Sequence, residues 1–194
     1  AHAFGHLDMA VSHLRQACLA PWAPAVYFSN FAEICRQKGL LAEAEQAGRQ
    51  AIKLNPDLID GWNNLGIILQ ESGKLEASLN CLQRVVNLKS NEATAHNNLA
   101  NTYRRLHRLE RAEAHYKKAL ELKPDYAEAH SNMAFLLNTQ GQFDQAVAAA
   151  RHAIILNPQL VDAYLNLAEI ETTRLRHAEA FHWLDVLSTF APQH

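Results

Sequence analysis

Apolar residues along the chain recur three and four positions apart in short stretches, and polar breaks separate the stretches. That spacing marks helices that each bury one stripe. Trp62, Leu65, Gly66 and Leu69 share one face of a predicted helix. Gly73 ends that helix, because glycine enters the left-handed conformation at a helix C-terminus without a steric penalty. Leu79, Leu82 and Leu88 mark a second helix, and proline, which cannot continue a helix, follows such second helices in most cases.

The pair repeats. Leu54-Asn55-Pro56, Leu122-Lys123-Pro124 and Leu156-Asn157-Pro158 recur, with Phe190-Ala191-Pro192 as a further member and Ser90 in the place of the missing proline. The period is 34 residues without insertion. Small residues obey it in three columns: Ala32, Gly66, Ala100, Ala134 and Ala168; Ala10, Ala44, Ser78, Ala112, Ala146 and Ala180; Ala17, Ala51, Val85, Ala119, Ala153 and Leu187. Large apolar residues fill a fourth, Phe31, Leu65, Leu99, Met133 and Leu167. Full repeats are therefore expected at 25–58, 59–92, 93–126, 127–160 and 161–194, with a half repeat at 1–24, all in one domain. Small columns let helices approach to the lower end of the 8–10 Å packing range, and the large residues fill what remains.

Composition agrees with closely packed helices, since much of the apolar content is alanine. Charge is nearly balanced, 18 basic against 20 acidic residues, which argues against nucleic acid or an anionic membrane as the main partner. Cys18, Cys35 and Cys81 form no CxxC pair, and their odd number argues against a disulfide framework. Buried, inert thiols in a reducing compartment are the expectation, and the cytoplasm the expected location. No apolar run is long enough to span a membrane.

The pattern resembles the tetratricopeptide repeat along the whole chain. The family's W-x-x-L-G stands as Trp62-Asn63-Asn64-Leu65-Gly66, and its alanine followed by an aromatic stands as Ala112 and Tyr116. The resemblance implies an all-α, right-handed superhelical solenoid of antiparallel helix pairs, whose first helices line an inner surface. On that surface the sequence places asparagine in every full repeat: Asn30, Asn64, Asn98, Asn132 and Asn166. Helix propensity does not ask for it. A row of amides, each donor and acceptor, suits the main chain of an extended peptide. With first helices on the order of 10 Å apart and a strand rising about 3.3 Å per residue, one rung meets about every third guest residue. The alternative is that the amides only tie each repeat to the next. Asp60, Glu128 and Asp162 hold the second position of their repeats, suited either to guest side chains or to a helix N-terminus, where the macrodipole favours negative charge.

Asp162-Ala163-Tyr164-Leu165-Asn166-Leu167-Ala168 is similar to the repeats of O-linked N-acetylglucosamine transferases and of bacterial Spindly-type proteins. That resemblance implies asparagines holding an acceptor protein's backbone and, at Asp60 and Asp162, contacts to its side chains. The sugar-transfer domain has no counterpart in this sequence. The carboxylate clamp of another class, Lys at the second and Arg at the sixth position, is excluded by the acidic or neutral second position and the asparagine sixth.

His96 and His130 share one place in adjacent repeats, and nothing nearby completes a tetrahedral metal set, so packing is their expected role. Arg104, Arg105, Arg108, Arg111, Lys117 and Lys118 interleave with Glu110, Glu113 and Glu121 as a solvated, ion-paired face. Phosphate loops, nucleophile elbows and zinc motifs are missing, so no catalysis, cofactor or metal is expected. Phe181, Trp183, Leu184 and Phe190 in the last helix are expected to lack full cover, which suggests a piece of a longer protein or self-association there. The sequence thus predicts a protein- or peptide-binding module, in one form the substrate-recruiting region of a glycosyltransferase. A scaffold that self-associates through its ends or outer face is the alternative.

Overall fold

The computed structural model describes residues 2–190, with side chains from Leu7 onward. Pro192 and the end of the fifth repeat, 191–194, lie outside the described residues. All secondary structure among the described residues is helical. The helices are α1 (His2–Cys18), α2 (Ala25–Gln37), α3 (Leu41–Leu54), α4 (Ile59–Glu71), α5 (Leu75–Leu88), α6 (Ala93–Arg105), α7 (Leu109–Leu122), α8 (Ala127–Thr139), α9 (Phe143–Leu156), α10 (Val161–Thr173) and α11 (His177–Ser188). Every helix from α4 on starts where its counterpart one period earlier predicts, to the residue.

The chain forms two compact units, Ala1–Leu106 and His107–His194. In the first, α2 packs on α3 and α4 on α5, while successive first helices α2, α4 and α6 touch in turn and α1 lies against α2. In the second, α8 packs on α9 and α10 on α11, α10 also meets α8 and α9, and α7 lies against α8. Both units are stacks of antiparallel helix pairs.

The columns explain the stacking. Ala32, Gly66, Ala100, Ala134 and Ala168 are buried, as are Phe31, Leu65, Leu99, Met133 and Leu167 beside them. Burying each large apolar side chain is worth roughly 1.5–3 kcal/mol. Gly66 is the tightest joint: a Cβ there would stand 2.7 Å from both Cγ and Cδ2 of Leu82. Its carbonyl accepts the Ser78 hydroxyl at 2.7 Å, so the one hydroxyl in its small column is also satisfied. In α1, Ala10 and Ala17 are only half-buried.

Turns inside the pairs share one geometry. The residue after each first helix's C-cap is left-handed: Gly39 (φ 73°), Gly73 (φ 75°) and Gly141 (φ 75°), but also His107 (φ 56°) and Leu175 (φ 60°). The next N–H returns to a carbonyl five residues back, as from Leu40 to Cys35 and from Lys74 to Leu69, both at 2.8 Å. This is the Schellman closure, and side chains with a Cβ adopt it at a cost of about 1–2 kcal/mol.

Candidate functional site

The asparagine column sits on the first helices, half-buried at Asn64, Asn98, Asn132 and Asn166 and exposed at Asn30. Its chemistry divides between the two nitrogen and oxygen ends of each amide. Asn64 Nδ2 donates to Ser29 Oγ at 3.1 Å and to the Ser29 carbonyl at 3.4 Å. Asn166 Nδ2 repeats this on Ser131, at 2.9 Å to Oγ and 3.0 Å to the carbonyl. Asn98 Nδ2 donates to Asn63 Oδ1 at 3.0 Å. Each donor thus reaches one repeat back, to the residue just before that repeat's own asparagine. Ser29 and Ser131 are buried, so these bonds satisfy polar groups inside the joint. Among the described residues the Oδ1 atoms of Asn64, Asn98 and Asn166 accept from no protein donor, and Asn30 has no hydrogen bond through its side chain.

The acidic column lies in the first turns. Asp60, Glu128 and Asp162 are exposed. Asp60 shares a recess of about 320 Å³ with Asn63, Lys89, Glu92 and Thr94. Within it Lys89 pairs with Glu92 at 2.5 Å, and Thr94 Oγ1 donates to Glu92 at 3.0 Å. The bond to Lys89 holds the Glu92 carboxyl below the usual carboxylate range. Glu92, through its hydrogen bond and its charge, raises the Lys89 pKa, and Asp60, which forms no ion pair among the described residues, adds to this through space. The recess therefore sets the Asp60 carboxylate beside Asn63, whose Oδ1 accepts from Asn98.

His96 and His130 are structural, and so are the aromatics in their column. Trp62 Nε1 donates to the Pro56 carbonyl at 2.8 Å and Tyr164 Oη to the Pro158 carbonyl at 3.0 Å. His96 Nε2 meets the Ser90 carbonyl at 3.0 Å and His130 Nε2 the Pro124 carbonyl at 2.9 Å. Four ring donors thus latch four turns, each six residues back. Burial lowers the His130 pKa from its ordinary 6.5, with the Pro124 bond opposing, so the neutral ring is favoured. His152 packs edge-on against it at 4.5 Å. Among the described residues no group of three metal-ligating side chains exists.

Part of the interleaved charge is paired. Lys117 bridges to Glu113 at 2.7 Å and Lys118 to Glu121 at 3.1 Å, while Arg105 donates to the Gln70 carbonyl. Burial pushes the Cys35 and Cys81 thiols up to about 11 and raises half-buried Cys18, which leaves little thiolate at neutral pH. Phe181, Leu184 and Phe190 are exposed, and Trp183 is half-buried. No described helix is long and apolar enough to cross a membrane.

Sequence reasoning missed the residues that receive the ladder, Ser29, Asn63 and Ser131, and the ring donors as latches. Both show at the 34-residue period once each column is asked for its hydrogen-bonding class rather than its size.

Models of the tetratricopeptide repeat match residues 57–125, 91–156, 136–194 and 25–58. No curated protein sequence matches. Among solved structures, a thermophilic TPR protein of Thermus thermophilus is similar, with a TM-score of 0.81 at 20% identity, over 87% of this chain and 92% of that one. PilF of Pseudomonas aeruginosa is similar with a TM-score of 0.75 at 17% identity, over 88% and 78%. YrrB, described as a TPR protein with an unusual peptide-binding site, gives 0.62 at 17% identity, over 93% of each chain.

Proposed function

The chain belongs to the tetratricopeptide-repeat family, and from that premise we infer that it is a protein-interaction module whose first-helix face holds an extended polypeptide. The observation that carries this is the divided amide. Nδ2 is committed to the joint, which fixes the side chain's rotamer, and Oδ1 is left as an acceptor in a set position. A guest main-chain N–H replaces water there at little entropic cost, because the side chain is already ordered by its own hydrogen bond. Each such bond contributes about 0.5–1.5 kcal/mol net, so affinity accumulates over rungs and reads little sequence. Asp60 and Asp162, exposed at the helix N-termini, supply acceptors for guest hydroxyl or amine groups.

The similarity of residues 162–168 to the repeats of O-linked N-acetylglucosamine transferases suggests one use of such a face. It would recruit an acceptor protein to a glycosyltransferase, with the five asparagines on its main chain.

A peptide-display library selected on the immobilised chain supplies guests for the test. Titrated with a selected peptide, the side-chain NH2 signals of Asn64, Asn98 and Asn166 should shift together. Peptides in which alternate main-chain amides are N-methylated should bind weakly. Guests that bind while those signals stay fixed contradict the reading.

A further inference from the structure

Between the second helices α9 and α11, three departures from the earlier repeats meet in one groove. The first concerns charge. Arg49 in α3 and Lys117 in α7 are each neutralised by a glutamate four residues earlier, Glu45 at 3.0 Å and Glu113 at 2.7 Å. The equivalent cation in α9 is Arg151, and the residue four earlier is Val147. Arg151 is exposed and has no carboxylate partner among the described residues. The second departure is Ile155, where earlier repeats carry Lys53, Asn87 and Glu121; it is 75% exposed. The third is Trp183, where earlier repeats carry Ala47, Cys81, His115 and Ala149. The Arg151 guanidinium lies 5.9 Å over the Trp183 ring, and with Ile154 and Ile155 these residues line a shallow apolar recess of about 420 Å³.

Each departure runs against what an ordinary solvent face selects. An isoleucine replaces a polar or charged residue, a tryptophan stands where three of the four earlier residues are small, and an arginine has no glutamate four residues before it. Together they make an apolar floor with a cation fixed at its rim by the indole, the composition of an interface hot spot. We propose that the α9–α11 groove docks an acidic peptide segment of a partner protein, a bulky apolar side chain on Ile154, Ile155 and Trp183 with a neighbouring carboxylate on Arg151. The carboxylate supplies the neutralisation that Glu45 and Glu113 give elsewhere, and the guanidinium offers it two donors in one plane. This site lies on second helices, away from the asparagine column, so its failure and that of the extended-peptide reading are separate results.

The probe is the blocked peptide acetyl-Glu-Leu-Phe-Glu-Glu-amide, followed through the indole N–H signals of Trp22, Trp62 and Trp183 in the whole chain. The Trp183 signal should move saturably, with a dissociation constant below about 1 mM at low salt, while those of Trp22 and Trp62 stay fixed. Arg151→Gln and Ile155→Lys should each weaken binding about tenfold with unchanged melting temperature, since both side chains are exposed. Exchanging the peptide's glutamates for lysines should abolish binding. An unmoved Trp183 signal, a variant that binds like the parent, or equal binding of the lysine peptide overturns the proposal. So does a Trp183 signal that moves with protein concentration alone, together with a dimer in sedimentation that Ile155→Lys dissolves, because a second copy then fills the groove.

Discussion

The asparagine column on the first helices and the groove between α9 and α11 are opposite kinds of feature. The column holds the same residue in all five full repeats, and where its bonds are seen they tie a repeat to its predecessor. The groove exists once, built from residues that depart from their columns. Uniformity along a solenoid therefore records what every joint requires, and a departure records either a cost or a task particular to one joint. In a fold whose units contact mainly their neighbours, the repeats act as internal controls for one another.

Breaking a uniform column should cost stability and restoring a departed one should add it. Gly66→Ala is expected to lose about 1–3 kcal/mol in chemical denaturation despite alanine's better helix propensity, because the added methyl meets Leu82. Leu82→Ala in the same chain should recover part of that loss relative to Leu82→Ala alone. The opposite case is Glu171, which stands in α10 where earlier repeats have Cys35, Leu69, Tyr103 and Leu137. It is 2% exposed, its Oε2 has no hydrogen bond among the described residues, and Arg176 stays 3.9 Å away. Glu171→Leu should gain about 1–3 kcal/mol.

Smaller effects sharpen the same contrast. Asn64→Ala and Asn166→Ala should each lose about 0.5–1.5 kcal/mol, as they strip a buried serine of its donor, whereas Asn30→Ala should cost nothing measurable. Leu175→Gly, which frees an exposed left-handed residue of its Cβ, should gain about 0.5–1 kcal/mol. His130 gives a pH signature. Its folded pKa lies below its ordinary 6.5, so its contribution is complete above pH 6.5 and is lost as pH falls through the lowered value. His130→Tyr, which keeps a ring donor without that titration, should melt less acid-sensitively between pH 7.5 and pH 5.

Most of the fold was legible because a 34-residue period repeats its evidence. The helices, the small columns and the glycine turn each appear several times, so chance resemblance at one place is outvoted. His107 and Leu175 in left-handed turns were not legible, since the neighbouring contacts of the fold, not their own preferences, hold them there. The site was half legible. Asparagine at the sixth position could be seen, but which end of each amide is spent depends on Ser29, Asn63 and Ser131, 35 residues earlier in the chain and adjacent only after stacking. At the α9–α11 groove the sequence pointed to Trp183 as poorly covered, but Arg151, Ile154 and Ile155 belong to α9 and line a recess with it only after stacking.

The sharpest test uses Asn30, the one rung that is exposed and makes no joint bond. Calorimetric titration of a display-selected peptide into the parent chain and into Asn30→Ala separates binding from stability in a single substitution. If amide carbonyls on the first helices hold a guest main chain, affinity should fall roughly two- to tenfold while the melting temperature stays where it was. Equal affinity in the two proteins, for a peptide that spans the first full repeat, would mean that the column serves the joints alone.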